Sequence, residues 1–190
     1  MRTRTTTGLL TAGLLLSTVT ACSTSDEPKT VRVTVTQTVT AAPDEGAAPK
    51  KDGPLSFRDK TTVKSDDGTS STAEVLAYTH TEKGPQAPGE ELGGDSWATA
   101  EIRVCNTGSD RIGVSQDPWS VDYADGTSME TTGLSGGDMP KPEFPMDKSL
   151  GSAKCARGKV AFPVHADKRP VSIVYSPEGG EPVEWAVPKA

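Results

Sequence analysis

From Leu55 to the C-terminus, Gly, Pro, Asp and Asn cut the sequence into short runs rich in β-branched and aromatic residues, and no stretch repeats its apolar positions at a helical spacing. That punctuation constrains the fold more than any other feature. It excludes helical bundles and α/β alternation and leaves an all-β sandwich or barrel. The expected strands are Leu55–Asp59, Thr72–His80, Trp97–Cys105, Ile112–Ser115, Trp119–Tyr123, Thr127–Thr131, Lys159–Val164, Val171–Tyr175 and Val183–Val187. Runs of this number and length suit two packed antiparallel sheets.

Strand side chains alternate between faces, so Val160, Phe162 and Val164 should share one side of their run. The same holds for Val171, Ile173 and Tyr175, and for Val183, Trp185 and Val187. Together these triplets are expected to form much of the core. Between Trp97 and Asn106, the set Ala98, Ala100, Ile102 and Val104 faces inward, which turns Cys105 outward. Pro163 lacks an N–H and suggests an edge strand or a bulge. Asp125-Gly126, between Val121-Asp122-Tyr123-Ala124 and Thr127-Ser128-Met129, predicts a tight hairpin.

All nine aromatic residues lie between Phe57 and Trp185, so the core cannot begin much before Leu55. We place a single folded domain over 55–190, a length able to bury about two thirds of its unfolded surface. Residues 22–54 are rich in Thr, Ala, Pro and charge and read as a disordered tether. Within it, Thr30 to Val39 alternates Thr and Val like a strand. Its flanks, Asp26-Glu27-Pro28-Lys29 and Ala41-Ala42-Pro43, favour an extended linker over an added edge strand. Residues 1–21 pair Arg2 and Arg4 with an apolar run, Leu9 to Val19, that is too short for the ~20 residues of a bilayer span. The run closes in Val19-Thr20-Ala21-Cys22, which resembles the lipobox of bacterial lipoprotein signal peptides. That resemblance implies cleavage before Cys22, its acylation, and membrane attachment through the N-terminal lipid on the extracytoplasmic face; two or more acyl chains suffice for stable anchoring.

The whole chain has 20 basic and 26 acidic side chains; losing Arg2 and Arg4 leaves 18 against 26, a net charge of −8. Such a balance argues against a nucleic-acid partner. In an oxidising compartment, the two cysteines that remain besides Cys22 are expected to pair, Cys105 with Cys155. The bridge should lie on the outer face or edge, unlike the buried inter-sheet bridge of antibody domains.

Three segments then carry a family likeness: Val104-Cys105-Asn106-Thr107-Gly108 after its alternating run, Trp119 to Gly126, and Gly158-Lys159-Val160-Ala161-Phe162-Pro163-Val164. The pattern resembles the telokin-like, immunoglobulin-like domains of unknown function on secreted lipoproteins of Gram-positive bacteria. The resemblance implies an immunoglobulin-like β-sandwich and an envelope location. It carries no catalytic motif and no cofactor.

Sharper chemical motifs are present only in part. Gly133-Leu134-Ser135-Gly136-Gly137 matches the G-x-S-x-G pattern of serine hydrolases. A nucleophile elbow, however, needs a strand before it and a helix after, and Asp138-Met139-Pro140-Lys141-Pro142 is loop chemistry. His80, His165, Cys105 and Cys155 lack the paired spacings of zinc sites. Asp117, Asp122, Asp125 and Glu130 cluster around the hairpin and could offer oxygen ligands to calcium, without a D-x-D-x-D-G pattern. The expected activity is therefore non-catalytic: a binding or adaptor module facing an envelope protein or cell-wall glycan, with Trp119 and Trp97 as candidate contacts. The rival is a passive lipoprotein whose tether sets a distance from the membrane.

Overall fold

The computed structural model describes residues 53–83 and 86–190, within one compact unit spanning Ala48–Ala190. The expected leader, Cys22 and the expected tether as far as Asp52, with its Thr30–Val39 run, lie outside the described residues. The unit is an all-β sandwich of ten strands: β1 (Thr61–Lys64), β2 (Ser70–Thr79), β3 (Ser96–Asn106), β4 (Ile112–Val114), β5 (Trp119–Asp122), β6 (Ser128–Glu130), β7 (Lys148–Leu150), β8 (Cys155–Val164), β9 (Ser172–Tyr175) and β10 (Val183–Ala186). One sheet runs β1-β2-β3-β8 and another β10-β9-β5-β6, while β4 and β7 make a separate two-stranded ribbon. All pairings between strands are antiparallel.

The alternation in the sequence is what fills the space between the sheets. Ala98, Ala100, Ile102 and Val104 of β3 and Val160, Phe162 and Val164 of β8 are buried from one side. Trp119, Val121, Ile173 and Trp185 are buried from the other. Small residues on the long central strand let the sheets approach over the indole rings of Trp119 and Trp185 opposite. Phe144, Val114 and Leu150 close one flank of this core. Val183 is only partly buried, and Val171 is 45% exposed, against the expectation for its triplet. Val171 precedes β9, where its N–H reaches Asp122 O and its carbonyl accepts from Val187 N, both 2.8 Å; the backbone is used and the side chain faces water.

Several expectations are corrected. Leu55–Asp59 is not a strand: Leu55 makes one parallel bridge to Trp185, and the chain then turns, with Ser56 N donating to the Asp59 carboxylate at 3.0 Å. Strands β1 and β7 lie outside all of the expected runs. In β2, Leu76 is an extra residue between the Val75 and Ala77 pairings with β3, a bulge. The hairpin forms, but with three loop residues: Gly126 N donates to Tyr123 O at 3.0 Å, Tyr123 N to Thr127 O at 2.9 Å, and Gly126 alone has positive φ. This is a type I turn closed by a bulge, not the two-residue turn that Asp-Gly suggests.

Strand β8 is an edge of its sheet, as Pro163 implied, and the long β6–β7 connection runs along part of it. Lys159 N donates to Pro142 O at 2.8 Å, and Phe144 N to Lys159 O at 2.9 Å. Gly158 permits that approach, since a Cβ there would fall 2.3 Å from Phe144 N.

Candidate binding cleft

The residues singled out in the sequence do not gather in one place. Trp119 is fully buried, with its ring centroid 4.4 Å from that of Tyr175 and 5.9 Å from that of Trp185. Trp97 points to the outer side of β3, yet the segment from Gln86 onward passes over it and Gln86 O accepts its indole N–H at 2.7 Å. Both tryptophans are therefore packing residues, and the expected contact role for them is withdrawn. A domain with so few aromatics spends its largest rings on the core.

The calcium cluster also dissolves. Asp117 and Glu130 stand at one end of the β5–β6 hairpin, Glu130 paired with Ser120, whereas Asp122 and Asp125 stand at the other. Asp125 is occupied by Lys168 Nζ at 2.6 Å and by the hydroxyl and N–H of Thr127, which hold its carboxyl below the usual range. Among the described residues, no three His, Cys, Asp or Glu side chains converge as metal ligands would. Ser135 lies in irregular chain, followed by a turn from Gly136 to Met139 where an elbow would need a helix. His80 bonds the Tyr78 hydroxyl through Nδ1 at 2.9 Å and faces Ala166 O through Nε2 at 3.1 Å. Cys105 and Cys155 are joined, Cα atoms 4.0 Å apart, as directly opposed residues of β3 and β8; Cys155 is exposed.

What the structure does assemble is a cleft of about 600 Å³ that no sequence motif announced. One wall is the β1–β2 hairpin, contributing Val63, Ser65, Asp67, Thr69 and Ser71. The other is Arg111 through Ser115, the whole of β4 with a residue at each end. Asp117 and Pro118, and then Tyr175 to Glu178, complete it. Val63, Val114 and Tyr175 are buried and make an apolar floor; the carboxylates of Asp67, Asp117 and Glu178 are exposed on the rim. Thr69 donates both its N–H (2.8 Å) and its hydroxyl (2.7 Å) to Asp67, which keeps that carboxyl ionised to lower pH than usual. Arg111, the one cation among the described lining residues, donates through Nε to Ser149 Oγ at 3.0 Å. Burial at the floor pushes the Tyr175 hydroxyl up to about 12. Hydroxyls and carboxylates around an apolar base are the make-up of a recognition surface. The signal that could have found it was the Asp66-Asp67-Gly68 turn, legible only once β1 is recognised as a strand.

No protein-family model matches the chain, and no curated protein matches it in sequence. Among solved structures it is similar to the secreted protein MPT63 of Mycobacterium tuberculosis, at 15% identity and a TM-score of 0.54, covering 72% of this chain and 99% of that one. It is also similar to the yjhA protein of Bacillus subtilis, at 13% identity and a TM-score of 0.49, over 69% of this chain and 98% of the other. A third, the ycdA protein of Bacillus subtilis, aligns at 16% identity and a TM-score of 0.49 over 67% of this chain and 38% of that one. The first of these likenesses shows a shared β-sandwich fold.

Proposed function

We propose that this chain is a lipoprotein anchored through Cys22 to the extracytoplasmic face of the cell membrane, where its immunoglobulin-like sandwich serves as a non-catalytic binding or adaptor module for an envelope partner. The observation that carries the binding role is the cleft between the β1–β2 hairpin and β4, a concave site built from three separate stretches of the chain. The leader ending at Cys22 supports the anchor, and the Cys105–Cys155 bridge supports an oxidising compartment. The description of MPT63 as a secreted protein agrees with that placement.

The test is cross-linking in living cells followed by mass spectrometry, with Cys22→Ala as the unanchored comparison. The expected result is retention of the native chain in the membrane fraction and one reproducible partner, lost together with the anchor. Equal release of both forms into the medium would overturn the anchoring. No partner for a chain that stays anchored would instead support the passive spacer.

A further inference from the structure

Resting on that binding role, we propose that the cleft takes an extended peptide segment bearing basic side chains, which pairs with β4 as an added strand. The alternation of side chains carries the argument. A strand that shows one face to a cavity contributes every second residue to its lining. The β1–β2 hairpin does this: Val63, Ser65, Asp67, Thr69 and Ser71 are all odd-numbered. Strand β4 does not, because Arg111, Ile112, Gly113, Val114 and Ser115 line the cleft consecutively. Consecutive lining means that the cleft runs along the edge of β4. That edge carries backbone groups, and among the described residues β4 pairs with β7 alone. An unpaired edge beside a concave apolar floor is the geometry of strand addition, in which backbone bonds hold the ligand and alternate side chains enter pockets.

The charge of the rim selects the ligand. Among the lining residues three carboxylates, Asp67, Asp117 and Glu178, outnumber a single guanidinium, Arg111, so the rim is net acidic. A Lys or Arg on the incoming segment meets complementary potential there, and an acidic segment is repelled. The opposite wall asks for small or β-branched side chains at the alternate positions, since Val63 and Ser71 would lie beneath them. Gly113 also lines the cleft, and a Cβ added there would meet nothing within 4 Å, so the face of β4 at mid-strand is uncovered and a larger side chain has room to reach over the edge.

The experiment selects binders to the full-length chain from a displayed library of segments of about seven residues, Val, Ile or Thr alternating with all residue types. Selected sequences are resynthesised as free peptides, as versions N-methylated at alternate residues, and with each Lys or Arg changed to Glu. A peptidoglycan fragment is titrated alongside. The expected result is selection of basic segments that slow hydrogen exchange at Ile112–Val114 and lose roughly tenfold or more in affinity on N-methylation of the pairing edge. The Glu versions should weaken by about fivefold at low salt and the difference should shrink at high salt. Gly113→Phe, whose ring enters open space, should abolish binding while leaving the melting temperature unchanged.

Failure to select any segment, or equal affinity after N-methylation at every alternation, would overturn the proposal. Saturable binding of the peptidoglycan fragment in the cleft, blocked by Gly113→Phe, would replace the peptide with a glycan and leave the binding role standing. Peptide binding without in-cell anchoring would instead strike the envelope reading alone.

Discussion

Asn106 does at the end of β3 what no apolar residue could. Its side chain is buried, donates to Asp110 O at 2.6 Å and Leu150 O at 3.0 Å, and accepts from Gly108 N at 2.9 Å. Its backbone meanwhile bonds Lys154 O and Ala153 N. Three segments thus depend on one amide, which explains why the strand ends in Asn-Thr-Gly. Asn106→Ala should cost about 2–3 kcal/mol by leaving buried carbonyls unpaired, measurable by urea unfolding. Gly158→Ala should lower stability by about 1–3 kcal/mol, because the backbone of Glu143 and Phe144 would have to move away. A neutral result would mean the β6–β7 connection is less tightly held than its bonds imply. Trp119→Ala should cost about 3–5 kcal/mol through the lost core volume. The tryptophans show where the sequence misleads: nearness to loops says nothing about which rings the core needs. By contrast, Ala98 to Val104 were readable residue by residue because strict alternation leaves a side chain only two directions.

At the scale of elements, legibility followed apolar alternation. Strands β2, β3, β5, β8, β9 and β10 carry it, at least in part, and stood out in the sequence. Strand β1 is Thr61-Thr62-Val63-Lys64 and β7 is Lys148-Ser149-Leu150, each with a single apolar residue. Their pairing is imposed by neighbours, β2 and β4, and no local signal could announce it. The cleft depends on that missed element, so it too was invisible. The disulfide is also an element-scale device, binding the last residue but one of β3 to the first of β8. It closes a loop with a sequence separation of 50, for which chain entropy gives about 4 kcal/mol. The double change Cys105→Ser, Cys155→Ser should lower stability by up to that amount while preserving strand content by circular dichroism. Loss of the sheet altogether would show that β3 and β8 cannot pair without the bond.

For the molecule as a whole, pH reports how ionisable groups are held. Asp125, Asp67 and Glu143 are kept below their usual range by Lys168, by the Thr69 backbone and by Lys141 respectively. Their contribution is complete above about pH 5 and is lost as pH falls through the depressed values. Tyr175 behaves oppositely: its hydroxyl, pushed up to about 12 by burial, stays protonated in the fold where an unfolded tyrosine ionises near 10. Stability should therefore fall between about pH 10 and 12 by on the order of 2 kcal/mol, and Tyr175→Phe should remove that portion of the decline. Melting curves across both limits check the signs.

The bridge between Leu55 and Trp185 has a mechanical side. Leu55 N donates to Glu184 O and Leu55 O accepts from Ala186 N, both at 2.8 Å, so the chain begins its fold alongside its last strand. Tension arriving from the upstream chain would load those two bonds before any strand of the β1-β2-β3-β8 sheet. The first structure to yield under drag would then be the β10 margin, while β4 and its cleft stay intact.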